Sequence, residues 1–217
     1  MNHPAKYSQK ILDAFAAVII SNAKVLDPMA GTGKIFDLEN KRPDLDIYAV
    51  EIEPEWALAH PKTTIGNALY LDWPDGFFDA IAVSPAYGNR MADRYSSSDP
   101  SERHTYAYCL KRQLHADNGG AMQWGDKYRE FHKAAWKESL RVLRVDGQFV
   151  LNIKNHIRGG VLQDVAGWHA DILQELGCRY DAKTIIAQSG MRHGANWKLR
   201  TSEEYVMVFS KYTNAYQ

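Results

Sequence analysis

Cysteine is scarce in this chain. Cys109 and Cys178 are the only two in 217 residues, far apart and without a metal-ligand spacing. That excludes a disulfide framework and fits a reducing cytoplasm, so both are expected as ordinary packed residues. An excess of either charge is also missing, with 26 Lys and Arg against 26 Asp and Glu. Proteins that coat themselves in nucleic acid usually carry a basic surplus, so any such contact has to come from a local basic patch. Long apolar runs are absent: the longest, Ala14 to Ile20, is far too short to span a bilayer. The opening Met1-Asn2-His3-Pro4-Ala5-Lys6 lacks the apolar core of a signal peptide. A cytoplasmic location without membrane association is expected. His104, His115, His132 and His156 show no ligand spacing, so no metal is expected.

What is present suits one globular domain, 1–217, with 45% hydrophobic and 24% charged residues and no internal repeat. A helical period runs through Ile11, Leu12, Phe15, Val18 and Ile19. Short strands follow at Val25-Leu26, Ile47 to Val50, Thr63 to Ile65 and Phe78 to Val83, separated by helical stretches around Ile35 to Asn40 and after Pro54. Strands apolar on both faces, alternating with helices, predict an α/β fold with a parallel sheet covered on both sides. A helix over Tyr128 to Leu143, a strand Gln148 to Ile153 and a helix Val161 to Leu176 continue the pattern. Two strands, Lys183 to Ala187 and Tyr205 to Phe209, close it as an antiparallel hairpin, making seven strands. Between Gly88 and Lys127 the chain is polar and aromatic without periodicity. So long a stretch inside a compact domain reads as a substrate-side insertion or lid.

Val25-Leu26-Asp27-Pro28-Met29-Ala30-Gly31-Thr32-Gly33 is the most informative segment: a strand ends, the chain turns on glycines and a helix begins. Such a turn lets backbone approach a ligand lying across the strand ends. Glu51, about twenty positions on at the end of the next strand, has the separation of a ribose-binding carboxylate. A dinucleotide fingerprint wants a third glycine where Phe36 stands. A Walker loop wants Gly at 28 and Ser or Thr at 35, where the chain has Pro28 and Ile35. Neither pyrophosphate nor triphosphate is therefore the expected ligand.

Asp27 to Gly33 resembles motif I of the Rossmann-like class I methyltransferases, most closely the form found in DNA and RNA amino-methyltransferases. The resemblance implies S-adenosylmethionine as cofactor. Asp27, Pro28, Met29, Ala30, Gly31 and Gly33 would hold its methionine part, Glu51 and Ile52 the ribose, and Asn67 and Ala68 the adenine, with Ser84 reaching the same pocket. Ser84-Pro85-Ala86-Tyr87, after the fourth strand, resembles the catalytic tetrapeptide of that family, whose Ser-initial version is commonest among cytosine-N4 enzymes. Ala86 stands where that family usually has a second proline. An exocyclic amine donates its lone pair into the base and is a poor nucleophile. The Ser84 hydroxyl and Pro85 carbonyl would accept its two hydrogens and free that pair, while Tyr87 stacks on a base taken out of the helix. An ordinary turn after a strand is the competing reading. Carbon-5 cytosine methylation is not expected, since it needs a Pro-Cys nucleophile and neither cysteine follows a proline.

Arg90, Arg94, Tyr95, Arg103, His104, Tyr106, Tyr108, Lys111 and Arg112 interleave in the insertion, a pattern that suits phosphate clamping and base stacking as well as a solvated lid. Arg192 and Lys198 lie in a basic terminal loop, and Lys154, Asn155, His156 and Arg158 follow the fifth strand. The resemblance to phage and bacterial DNA-methylase-like proteins implies an N-methyltransferase acting on a DNA base, cytosine N4 ahead of adenine N6, as a flipped base or single strand. With no recognition domain in view, a protein partner for sequence recognition is a further expectation. The alternatives are guanine N2 in RNA, a small-molecule amine, or a noncatalytic nucleic-acid-binding relative.

Overall fold

The computed structural model describes residues 3–4, 7–92, 105–187 and 203–212. Helix α1, Gln9–Val18, opens on the Ser8 side chain, which accepts from the Ile11 amide. It buries Ile11, Leu12 and Phe15, each contributing roughly 1.5–3 kcal/mol. Strands β1 (Lys24–Asp27), β2 (Asp46–Glu51), β3 (Thr63–Ile65), β4 (Phe78–Val83) and β5 (Leu143–Ile153) pair in parallel. Between them lie a 3-10 helix, Lys34–Asn40, and the helices α2 (Pro54–Ala57), α3 (Tyr106–Leu110) and α4 (Asp126–Val142). The chain continues through a hairpin, β6 (His156–Arg158) and β7 (Val161–Gln163), then α5 (Val165–Glu175), β8 (Cys178–Ala187) and β9 (Glu203–Lys211). The main sheet runs β3-β2-β1-β4-β5-β9-β8, with β9 antiparallel to both neighbours. This is the expected seven-stranded architecture with an antiparallel last pair.

Strand parity divides the core. Leu26, Ile81, Val83, Phe149 and Leu151 pack on one face with residues of α4 and α5. Val25, Ala49, Ala80, Ala82, Val150 and Val206 pack on the other with α1. A period of two along each strand dictates this split. The same parity, carried to the strand ends, sends Asp27, Glu51, Ser84, Asn152 and Glu204 to the α1 side. Sheet order reverses about β1, with β2 on one side and β4 on the other, so a crevice opens at their C-terminal ends.

The helix expected around Ile35 to Asn40 is present as the 3-10 helix Lys34–Asn40, entered through Gly33 in the left-handed region at φ 74°. Two local expectations are corrected. The helix expected from Val161 starts at Val165, because Val161–Gln163 pairs with His156–Arg158 and Asp164 caps the helix by accepting from the Gly167 amide. The fifth strand begins at Leu143, directly after α4. Its pairing with β4 skips between Leu143 and Gln148, and Asp146 stands at φ 58° in the skipped segment.

Candidate functional site

A cavity of about 410 Å³ lies at these strand ends, inside the roughly 300–1,000 Å³ range of small-molecule sites. Its floor is the motif I turn, Pro28 to Thr32, with Glu51 and Ile52 from β2. Ser84, Pro85, Ala86 and Tyr87 enclose one side, and Asp117 to Gly120 with Tyr106 enclose another. His3, Pro4, Tyr7 and Ser8 close it from the segment before α1.

Two buried carboxylates organise the floor. Asp27 accepts from the Tyr7 hydroxyl at 2.7 Å and from the Met29 amide at 3.0 Å. Glu51 takes the Gly31 amide at 2.8 Å on one oxygen and the Glu53 amide at 2.9 Å on the other. Burial pushes both carboxyls up to about 7, outweighing the hydrogen bonds that favour their charge, and each also gains from a neighbouring carboxylate, Glu51 beside Asp27 and Glu53 beside Glu51. Gly33 meets a steric demand as well as a conformational one: a Cβ there would stand 2.6 Å from the Cβ of His60.

Of the residues expected to hold a cofactor, Pro28, Met29, Ala30, Gly31, Glu51, Ile52, Ala68 and Ser84 line the cavity. Asp27 lies beneath the turn and Gly33 beyond it. Asn67 stands one shell back. Its carbonyl oxygen accepts from the Leu69 amide and its NH2 donates to Asp117 at 3.0 Å, so Asp117 is the polar group presented at that end.

The tetrapeptide is tied into a polar cluster. The Asn152 NH2, fully buried on β5, donates to the Ser84 hydroxyl at 2.9 Å and to the Tyr87 hydroxyl at 2.8 Å. Ser84 and Tyr87 hydroxyls are 3.3 Å apart. Glu204, the second residue of β9, reaches within 3.5 Å of the Tyr87 hydroxyl and of the Asn152 NH2. Burial, and then the Glu204 charge, push the Tyr87 phenol well above its ordinary range. Behind this cluster, the Tyr128 hydroxyl donates to the Ala86 carbonyl at 2.7 Å and lies 3.0 Å from His169 Nε2. Trp136 Nε1 donates to His169 Nδ1, so the proton of this imidazole sits on Nε2 and points at Tyr128. Burial holds His169 well below the usual histidine range, as befits a neutral link. The backbone freedom that Ala86 introduces is thus restrained by a carbonyl hydrogen bond.

Several expected substrate contacts are placed elsewhere. Lys154, Asn155, His156 and Arg158 are not in the cavity wall. Asn155 braces the start of α5 through Asp164 and the Ala166 amide, and Arg158 donates to the Trp124 carbonyl. Arg112 is engaged by the carboxylates of Glu53, at 2.8 Å, and Glu55, at 2.5 Å. Glu53 also accepts from the His115 amide and the Asn118 side chain, so residues 105–121 are clamped over α2. The side chain of Arg90, together with Arg94, Tyr95, Arg103, His104, Arg192 and Lys198, lies outside the described residues.

Tyr7, Asp117, Asn152 and Glu204 were not singled out from sequence. A signal existed for Asn152, a polar residue inside the apolar strand Gln148 to Ile153. None existed for Glu204, whose position depends on β9 running antiparallel beside β5, with Asn152 opposite Val206 and Ile153 opposite Tyr205.

No protein-family model matches the chain, and no curated protein matches it in sequence. Solved structures do match in fold. A SAM-dependent methyltransferase of Methanosarcina mazei superposes with a TM-score of 0.60 at 12% identity, over 97% of this chain and 100% of that one. A TehB-like SAM-dependent methyltransferase of Corynebacterium glutamicum gives 0.53 at 16% identity, over 93% and 87%. The (4+2)-cyclase SpnF gives 0.59 at 14% identity, over 98% and 86%. The chain therefore has the Rossmann-like class I methyltransferase fold. At these identities the likeness defines the fold, and the cyclase among the neighbours illustrates that chemistry has to be argued from the site. No helix of the described residues is long and apolar enough to cross a membrane.

Proposed function

We propose that this protein transfers a methyl group from S-adenosylmethionine to an exocyclic amino nitrogen of a DNA base, cytosine N4 ahead of adenine N6. The observation that carries the reading is the convergence of the motif I turn and Ser84-Pro85-Ala86-Tyr87 on one cavity. The residues present suit the cofactor. Glu51 offers acceptors for ribose hydroxyls, the turn from Pro28 to Gly31 brings backbone close, Asp117 offers an acceptor at the far end, and two buried carboxylates complement a cation.

When bound, S-adenosylmethionine supplies a methyl group already activated by its sulfonium. The protein's task is then alignment and removal of water. Ser84 and the Pro85 carbonyl accept the two amine hydrogens, and Tyr87 packs against the base. Asn152 holds both hydroxyls in place, and Tyr128 anchors the Ala86 carbonyl. A base must leave its helix to enter such a pocket. Arg90, Lys154, Arg192 and Lys198 are assigned to the nucleic acid, Lys154 from outside the cavity wall, with a protein partner supplying further sequence recognition. Segment 105–121, clamped by Glu53, acts as the lid of the cofactor end.

The test is transfer from radiolabelled S-adenosylmethionine to unmethylated duplex DNA, single-stranded DNA and RNA, with nucleoside analysis. Label in N4-methylcytosine or N6-methyladenine supports the reading. Label on RNA alone, or on no nucleic acid while the cofactor binds, redirects it to RNA or to a small amine. Ser84→Ala should abolish transfer and spare cofactor binding, and unchanged turnover would remove Ser84 from the mechanism.

A further inference from the structure

The side chains at the catalytic end form a directed chain of hydrogen bonds. The Asn152 atom facing Ser84 and Tyr87 also faces the Glu204 carboxylate, 3.5 Å away. A carboxylate there selects the NH2 group over the carbonyl oxygen, and its two hydrogens go to Ser84 Oγ and Tyr87 Oη. With Asn152 donating to both hydroxyls, their own hydrogens point onward. Tyr87 donates to Glu204, and Ser84 donates to Tyr87 across 3.3 Å. Ser84 keeps one lone pair, and it lines the cavity. Hydrogen bonds of this kind are commonly long without substrate and shorten in the reacting complex.

We infer that Glu204 is the terminal acceptor of the proton that an amine substrate must lose, received through the hydroxyls of Tyr87 and Ser84; this rests on the amine-methylation reading above. The step balances. As the nitrogen–methyl bond forms, the methyl–sulfur bond breaks with its electron pair left on sulfur, and the nitrogen becomes cationic. Its hydrogen passes to Ser84 Oγ, the Ser84 hydrogen to Tyr87, and the Tyr87 hydrogen to Glu204. Both hydroxyls are regenerated, and the protonated carboxyl, itself in the cavity wall, discharges to water. Tyr87 works by exchange and stays a phenol, consistent with its burial beside a carboxylate. The arrangement favours an acceptor atom that gives up a proton on methylation, such as an amine, over one that does not, such as a thioether.

The test uses two cofactor analogues and the variants Glu204→Gln and Tyr87→Phe, each close to isosteric. Sinefungin carries a primary amine in place of the S-methyl group of the cofactor, whereas S-adenosylhomocysteine carries nothing there. The wild type should bind sinefungin about tenfold or more tightly than S-adenosylhomocysteine by calorimetry at pH 7.5, the order expected of one charge-assisted interaction. Both variants should bind S-adenosylhomocysteine as the wild type does and lose the preference for sinefungin. On any DNA oligonucleotide that the wild type methylates, Glu204→Gln should lower kcat about 10²-fold or more with KM unchanged. A wild type without the preference, or a Glu204→Gln variant that keeps both the preference and kcat, overturns the relay and leaves the amine-methylation reading standing. Failure of the wild type to bind either analogue overturns that reading itself.

Discussion

Cofactor affinity should rise steeply with pH around neutrality, and the two buried carboxylates explain why. Asp27 is fully buried and Glu51 6% exposed, and burial pushes each carboxyl up to about 7. The groups facing them are Tyr7, Glu53 and Tyr106, which bring hydroxyls and another carboxylate. Each folded-state value lies above its unfolded one. Each group's contribution to stability is therefore fully present below about pH 4 and is lost as pH rises toward 7, on the order of 3–4 kcal/mol per group. The two titrate as a coupled pair. A cationic ligand whose ribose hydroxyls donate to Glu51 reverses this preference, because it needs the ionised form. A carboxyl titrating at about 7 is roughly one-tenth ionised at pH 6 and nine-tenths at pH 8. Affinity should then rise about tenfold over that interval where one carboxylate must ionise, and about a hundredfold where both must. Calorimetry at pH 6 and pH 8, in buffers of different ionisation enthalpy, reads both the affinity and the protons released. Glu51→Gln should flatten the profile. It leaves an amide NH2 facing one of the two backbone N–H groups that Glu51 now satisfies, at a cost of about 1–3 kcal/mol. A dissociation constant that stays constant from pH 6 to 8 with no proton release would refute the reasoning.

Gly33→Ala should destabilise the fold by at least about 2 kcal/mol, since it combines a left-handed backbone with a clash against His60. That corresponds to a Tm lower by roughly 4 °C or more, read by calorimetry. Tyr128→Phe removes the donor to the Ala86 carbonyl and the partner of His169. A loss of about 1–3 kcal/mol in urea unfolding is expected, with a lower kcat and unchanged cofactor affinity. Arg112→Ala leaves the buried Glu53 carboxylate without its cation. Limited proteolysis should then cut within 105–121 more readily and cofactor affinity should fall; a cleavage pattern identical to wild type would show that the clamp is dispensable.

Local information was enough for the elements whose signal is local. The runs Phe78 to Val83 and Thr63 to Ile65 are strands at their expected bounds, because short runs rich in β-branched and apolar residues, bounded by turn formers, favour the extended chain. The Gly31-Thr32-Gly33 turn followed from composition for a related reason: a left-handed φ at 31 and 33 is what glycine permits. Ser84 could be placed beside the motif I turn because both follow parallel strands, whose ends share one edge. Tertiary pairing decided the rest. Val161–Gln163 carries a helix-compatible pattern, yet its backbone hydrogen bonds are taken by His156–Arg158. Arg112 has the composition of a phosphate ligand, and only packing shows that Glu53 and Glu55 already neutralise it. Glu204 is the clearest case. It stands 117 positions from Tyr87 and 52 from Asn152, near the start of β9, which runs antiparallel to both its neighbours in the main sheet. Sequence by itself determined the alternation of strands and helices and the turns at their ends, because periodicity and glycine act over a few residues. Which polar side chains meet was settled by sheet order and strand direction, because those are properties of the whole chain's hydrogen bonding rather than of any segment.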